Sequence, residues 1–205
     1  MNLARLLQLA SPTLPVGAYS YSQGLEAAIE AGIVSDAASA ERWIGDVLAY
    51  SVGWMEAPLL WRMMHGADLN EIFIASRETA ELRAETLQMG HSLCALLQDL
   101  GLKDVPTQEV AFPTAYAIAA RRWDIEPRAA LVAYLWSWLE NQVMAAVKAV
   151  PLGQTAGQKI LLSLGNELNR IAEEASTQAE FLNFAPALAI LSSRHETQYS
   201  RLFRS

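Results

Sequence analysis

Apolar side chains recur at steps of three and four residues along most of this chain, and this spacing constrains its fold more than any other feature. In the clearest run, Leu82, Met89, Leu96 and Leu100 fall at helical intervals on one face. Alternation with a period of two, which is typical of strands, is rare. We therefore predict an all-α protein, a single-domain helical bundle of about eight to ten helices that spans residues 1–205.

Proline positions predict where three of these helices begin. Pro113, Pro127 and Pro186 each suit the first turn of a helix, where a missing amide hydrogen costs no intrahelical bond. The helix that begins at Pro127 is apolar on most sides, which predicts a position at the centre of the bundle or in an interface. We further expect single helices over residues 20–31 and 155–174, and a break or kink near Pro58.

The composition excludes several classes of protein. Hydrophobic residues make up 52% of the 205 residues and charged residues 18%, and the net charge is −7. An acidic chain repels phosphate groups, so we expect no binding to nucleic acid. No apolar run approaches the roughly 20 residues of a membrane-spanning helix, and the single cysteine, Cys94, precludes an internal disulfide. We therefore expect a cytoplasmic protein that binds no membrane.

No sequence pattern of an active site or a metal centre is evident. The three histidines, His65, His91 and His195, lie in no HExxH motif, and one cysteine cannot form a CxxC pair. The stretch 153–159 (GQTAGQK) has the wrong glycine spacing for a phosphate-binding loop and lacks its Ser or Thr. No serine occupies a GxSxG motif. We therefore predict that the chain is not an enzyme and has no catalytic residue, bound metal or cofactor of its own.

The last residues differ in charge from the rest of this acidic chain. Residues 193–205 contain three arginines and one glutamate, together with Tyr199, Leu202 and Phe203. Arginine and aromatic side chains are frequent among the residues that dominate the energy of protein interfaces. This composition fits a partner-binding C-terminal tail as well as it fits a tail that is disordered or folded back on the bundle.

Four stretches, in the same order along the chain, resemble signature segments of the UreF family of urease accessory proteins. They are SPTLPVGAYSYSQGLE (11–26), RAETLQMGHSL (83–93), PLGQTAGQKIL (151–161) and HETQYSRLFRS (195–205). At one aromatic position of the signature, Tyr19 stands where we expect phenylalanine. The positions that match the family motifs are Ser11, Pro12, Leu14, Pro15, Gly17, Tyr19, Ser22, Gly24, Leu25, Glu26, Arg83, Met89, Gly90, Gly153, Gln154 and Gln158.

The resemblance implies an all-helical homodimer that binds a second accessory protein, UreD/UreH, and through it recruits the nickel-carrying GTPase UreG. The assembly delivers nickel to apo-urease, and UreG contributes the phosphate-binding loop. In the family, the C-terminal segment becomes ordered in the complex and helps to form the GTPase-docking surface. By this resemblance the partner-binding residues are Arg194, His195, Glu196, Tyr199, Arg201, Leu202 and Phe203.

The resemblance also suggests a role for the 11–26 segment. We expect Pro12, Pro15 and Gly17 to fix a bend that brings the first helix to a partner or dimer surface. We expect Glu26 either to bond the amides at the start of a helix or to line a polar passage for nickel.

Three functions remain open at the level of the sequence. In the first, the chain is a non-enzymatic scaffold for nickel insertion. In the second, it is a GTPase-activating protein whose arginine finger is Arg121, Arg122 or Arg194. In the third, it is a helical small-ligand-binding module with a central apolar pocket, although neither a DNA-reading helix nor a second domain accompanies it.

Overall fold

The computed structural model describes residues 2–107 and 109–205. Within these ranges the regular structure is helical and no strand occurs, which confirms the predicted all-α single-domain bundle. None of the described helices combines the length and the hydropathy that crossing a bilayer requires. The α-helices are α1 (Leu3–Leu9), α2 (Leu25–Glu30), α3 (Ala37–Val47), α4 (Ala57–Met64), α5 (Asn70–Ala75), α6 (Ala80–Asp99), α7 (Phe112–Arg122), α8 (Pro127–Ala149), α9 (Gln154–Gly165), α10 (Leu168–Thr177) and α11 (Pro186–His195).

Helices α3 and α4 are joined end to end by a π-helical stretch, Leu48–Glu56. Pro58 lies in the first turn of α4 and has no amide hydrogen to donate to the Trp54 carbonyl, four residues earlier. That carbonyl instead accepts hydrogen bonds from the Leu182 amide at 3.1 Å and from the Gln178 side chain at 2.8 Å. The irregularity expected near Pro58 therefore takes the form of a π-helical stretch.

Two of the predicted single helices are wrong. Within residues 20–31 the helix begins only at Leu25, because Gly24 adopts a left-handed conformation with φ 76° that interrupts a right-handed helix. Residues 155–174 belong to two helices, α9 and α10, rather than one. The break lets α9 pack against α3 and α8 while α10 packs against α4 and α8.

Helix α8 occupies the centre of the bundle, as its apolar character on most sides predicts. It packs against α1, α2, α3, α4, α9 and α10. Leu131, Leu135 and Leu139 are fully buried along it, and burying each such side chain stabilises the fold by about 2 kcal/mol. These six helices therefore assemble around α8.

The connection between α6 and α7 crosses α6 at Gly90. A Cβ atom at this position would lie 1.9 Å from the Val110 carbonyl oxygen, so only glycine permits the approach. Close by, the Phe112 amide donates a hydrogen bond to Thr86 Oγ1 at 3.1 Å. Gly90 of the second family motif therefore allows α7 to start against α6.

Candidate functional site

The 11–26 segment runs across the bundle and meets the C-terminal residues. The Ser22 amide donates a hydrogen bond to Ser205 O at 2.7 Å, and the Arg204 amide donates one to Ser20 O at 2.8 Å. Ser22 and Ser205 are fully buried. The first and last of the four motif stretches are therefore in direct contact.

The Glu26 carboxylate holds the C-terminal segment in place. Its Oε1 accepts a hydrogen bond from the Leu202 amide at 2.6 Å, and its Oε2 accepts one from the Phe203 amide at 2.9 Å. His195 Nε2 lies 3.2 Å from the same Oε2. Because the Glu26 side chain is only 9% exposed, these contacts replace the water that an ionised carboxylate would otherwise bind.

A second carboxylate, that of Glu81 on α6, completes this attachment. His195 Nδ1 lies 2.7 Å from Glu81 Oε2, and Arg201 Nη1 donates to Glu81 Oε1 at 2.6 Å. The His195 ring is fully buried between the two carboxylates, and each of its nitrogens lies within hydrogen-bonding distance of one of them. We call Glu26, Glu81, His195 and Arg201, with the amides of residues 202 and 203, the tail clasp.

Buried hydrogen bonds continue from the C-terminal segment to Glu85 on α6. Ser205 Oγ donates to Glu85 Oε2 at 2.9 Å, and Gln23 Nε2 donates to Glu85 Oε1 at 2.7 Å. Trp138 Nε1, on α8, donates to Gln23 Oε1 at 2.7 Å. Burial raises the pKa of Glu85 to about 7, although both hydrogen bonds act in the opposite direction. The two ends of the chain are thus linked to α6 and α8.

A cavity of about 240 Å³ lies between the 11–26 segment and α8, and we call it the α8 cavity. One polar part of its lining is an ion pair in which Arg77 Nη1 lies 2.6 Å from Glu56 Oε1, with both side chains buried. The Tyr134 hydroxyl donates to Glu56 Oε2 at 2.9 Å. Apolar side chains form much of the remaining wall, among them Leu9, Leu14, Val16, Met89, Phe112 and Trp138.

Comparison with known proteins bears on the resemblance of the four motifs. Residues 34–165 match the family model for UreF, and the urease accessory protein UreF of Dechloromonas aromatica (strain RCB) is 55% identical over all of this chain and 98% of its own length. The chain belongs to the UreF family. The UreF proteins of Azoarcus sp. (strain BH72) and Janthinobacterium sp. (strain Marseille) are 57% and 51% identical, over 100% and 99% of this chain and 96% and 98% of their own lengths.

The fold brings together UreF motif residues from three of the four stretches. Ser22 and Glu26 contact the C-terminal segment, and Gly24 lies against α11, where a Cβ atom would be 3.3 Å from the Ser192 amide nitrogen. Leu25 is buried in the core. The α8 cavity is lined by Ser11, Pro12, Leu14, Tyr19 and Met89.

Other motif positions lie outside both sites. Four of them are exposed and neither belong to the tail clasp nor line the α8 cavity. These are Arg83 on α6 and Gly153, Gln154 and Gln158 at the start of α9. Pro15 is exposed. Gly17, two residues later, has a positive φ. The Glu26 carboxylate accepts the amides of residues 202 and 203 and not those at a helix start, so this expectation is wrong, whereas a polar passage at Glu26 stays a prediction.

The predicted tail is the end of a helix followed by a packed segment. Helix α11 extends to His195, so the predicted boundary at residue 193 falls inside it. His195 and Phe203 are buried, and Arg201 is paired with Glu81. Glu196 Oε1 accepts a hydrogen bond from the amide of Ala80 at 2.8 Å. These four predicted partner-binding residues therefore contact the chain's own bundle.

The remaining predicted residues of the tail point into solvent. Tyr199 and Leu202 are 103% and 59% exposed, and Arg194 is exposed in the last turn of α11. The C-terminal segment thus has an inner set of side chains that attaches it and an outer set that is free of such contacts.

Sequence reasoning missed the residues that connect these sites. One of them, Glu85, lies within the second motif stretch but is not one of its matching positions. The others, Glu81, Glu56 and Arg77, lie in none of the four stretches. One signal was available for Glu85, because it lies four residues before Met89 and therefore on the buried face of α6. A carboxylate on a buried helix face indicates a buried polar partner.

The carboxylates of this region bind groups of the chain's own C-terminal segment. Among the described residues, no group of three or more His, Cys, Asp or Glu side chains is arranged to hold a metal ion. The carboxylates of the tail clasp accept main-chain amides and pair with His195 and Arg201. The arrangement therefore fixes a segment of polypeptide on the surface of the bundle.

Proposed function

We propose that this UreF-family chain is a non-enzymatic scaffold for nickel insertion into apo-urease. In this role it bridges a UreD/UreH-type accessory protein to the nickel-carrying GTPase UreG and modulates GTP hydrolysis, as a homodimer in the cytoplasm. Family membership supports the general role in urease maturation. The contact between the 11–26 segment and the C-terminal residues supports the bridging role.

The observation that carries the proposal is the fixed C-terminal segment with its exposed outer side chains. Leu202 and Tyr199 project from a segment whose amides are bonded to Glu26, and Tyr19 is 76% exposed next to Ser20, which accepts the Arg204 amide. Aromatic side chains held in place before binding lose little entropy when a partner arrives. One composite surface is thereby offered to a partner.

A pair of double variants tests this surface. Tyr199→Ala with Leu202→Ala should weaken capture of UreG by the complex with the UreD/UreH-type protein at least about tenfold, because two exposed anchors are lost. Leu182→Ala with Phe184→Ala is the matched control, since these side chains are also exposed, at 46% and 70%, but lie elsewhere. Affinity is measured by biolayer interferometry. Equal losses for the two pairs, or none for the first, would contradict the proposal.

The scaffold role is tested in cells that produce urease and its accessory proteins. We expect urease from cells lacking this chain to contain little nickel, and re-expression of the chain to restore both nickel content and activity. The nickel content of purified urease is measured by mass spectrometry. Normal nickel content without the chain would reject the role.

If the chain modulates GTP hydrolysis without an arginine finger, replacing any one candidate arginine should change the rate of hydrolysis only modestly. All three candidate arginines are exposed: Arg194 lies next to the tail clasp, and Arg121 and Arg122 lie at the end of α7. An arginine finger contributes about 10³–10⁵ to kcat, so we expect Arg194→Ala, Arg121→Ala and Arg122→Ala each to change GTP turnover of the assembled complex far less. A loss of about 10³ in any of them would favour a GTPase-activating protein.

A further inference from the structure

The α8 cavity opens to solvent between the 11–26 segment and α8. Pro12, Tyr19 and Met144 line it and are exposed, so they surround its opening. These side chains are apolar or aromatic and come from two different elements. An incoming side chain that enters the cavity would therefore also bring its own backbone against Pro12, Tyr19 and Met144.

The charges that line this cavity do not balance. Its lining includes Glu56, Glu85 and Glu140 but a single cationic residue, Arg77, which is paired with Glu56 at 2.6 Å. Glu85 and Glu140 therefore have no cationic partner among the lining residues. Burial raises the pKa of both carboxyl groups, since their ionised forms lose hydration.

The walls of the cavity suit a cation that has an apolar stem. Phe112, Tyr134 and Trp138 contribute aromatic rings, whose faces attract cations, and Leu14 and Met89 contribute aliphatic surface. Lysine and arginine side chains bury their methylene groups along such surface while the charged head reaches a polar partner. A neutral side chain would leave the Glu140 carboxylate without a cationic partner, and an acidic side chain would be repelled by it.

We propose that the α8 cavity receives a lysine or arginine side chain from a partner protein of urease maturation. The inference rests on the proposed scaffold function. The cationic head pairs with Glu140, which is partly exposed, and approaches Glu85, which is buried beneath Gln23 and Ser205. The methylene groups pack against the apolar wall.

Small cations test the chemistry of the cavity in the full-length protein. n-Butylammonium and n-butylguanidinium carry the stem and the charge of lysine and arginine, and n-butanol carries the stem alone. The reporter is the indole N–H resonance of Trp138, assigned with a Trp138→Phe variant. We expect both cations to bind with a Kd at least about tenfold below that of n-butanol, and Glu140→Gln to abolish this difference. Equal binding of the three compounds, or no shift with any of them, would overturn the proposal.

Variants of Glu140 test whether the occupant belongs to a partner protein. We expect Glu140→Gln to raise the Kd for one of the three partners (UreD/UreH-type protein, UreG or apo-urease) about tenfold, and Glu140→Lys to raise it further by repelling the incoming cation. Glu180→Gln is the control, because Glu180 is exposed and lies outside the cavity. If both Glu140 variants bound all three partners as the wild type does, a free organic cation would be the occupant and the proposal would be wrong.

These outcomes are separable from failure of the scaffold function. If the unmodified chain neither captured the partners nor restored nickel to urease, the proposed function itself would fail. If the unmodified chain did both and the Glu140 variants did so equally well, only the assignment of the cavity would fail.

Discussion

At the scale of single residues, Glu85 is a carboxyl group at which burial and hydrogen bonding oppose each other. Gln23 and Ser205 donate to its two oxygens, but burial raises its pKa from 4.5 to about 7. Between these two values the folded protein keeps a proton that the unfolded chain has released. The contribution of Glu85 to stability is therefore fully present below about pH 4.5 and is lost as the pH rises through about 7.

Replacing this group removes its share of the pH dependence. Between about pH 5 and pH 8, the free energy of unfolding of the wild type should fall with rising pH, and we expect that of Glu85→Gln to fall by about 2–3 kcal/mol less. Urea denaturation at several pH values measures this difference. Glu180→Gln is the control, since this exposed carboxylate should leave the wild-type profile unchanged. A Glu85→Gln profile parallel to that of the wild type would show that Glu85 is ionised in the folded protein.

At the scale of the helices, sequence spacing predicts most elements but not all of their limits. Pro127 and Pro186 mark the starts of α8 and α11 as predicted, because the first turn of a helix tolerates proline regardless of its neighbours. The late start of α2 and the break between α9 and α10 were not predictable. They depend on the left-handed Gly24 and on which helices lie alongside, and apolar spacing contains neither kind of information.

At Gly90 in α6, packing and helix propensity predict opposite changes in the free energy of unfolding when the glycine is replaced by alanine. Propensity alone predicts that Gly90→Ala stabilises the helix by about 1 kcal/mol. Because the new Cβ would lie 1.9 Å from Val110 O, we expect a loss of about 2–3 kcal/mol instead. Gly45→Ala in α3 is the matched control, since its Cβ would meet only the flexible Leu164 side chain at 3.2 Å. Urea denaturation measures both; a stabilised Gly90→Ala protein would contradict this account of the motif.

At the scale of the whole molecule, the four motifs identified which segments matter but not how they meet. The hydrogen bond from Leu202 to Glu26 joins residues 176 positions apart, and no local pattern in either segment specifies the other. The basic composition of residues 193–205 fits a tail that is free in solution as well as it fits a tail that packs on the bundle. The fold resolves the choice, because Glu26 on α2 and Glu81 and Glu85 on α6 all accept hydrogen bonds from the C-terminal segment.

Glu26 is therefore expected to control the order of the C-terminal segment without controlling the fold. In Glu26→Gln an amide nitrogen, which donates, replaces one carboxylate oxygen, and the remaining oxygen is uncharged. The amides of Leu202 and Phe203 therefore cannot both keep an acceptor, and the one that is kept is weaker. We expect hydrogen exchange at these two amides to accelerate at least about tenfold, while helical content is unchanged and capture of UreG weakens. Glu30→Gln, on the exposed end of the same helix, is the control. If the two amides stayed protected in Glu26→Gln, the tail would be held by Glu81 and the buried Phe203 ring rather than by Glu26.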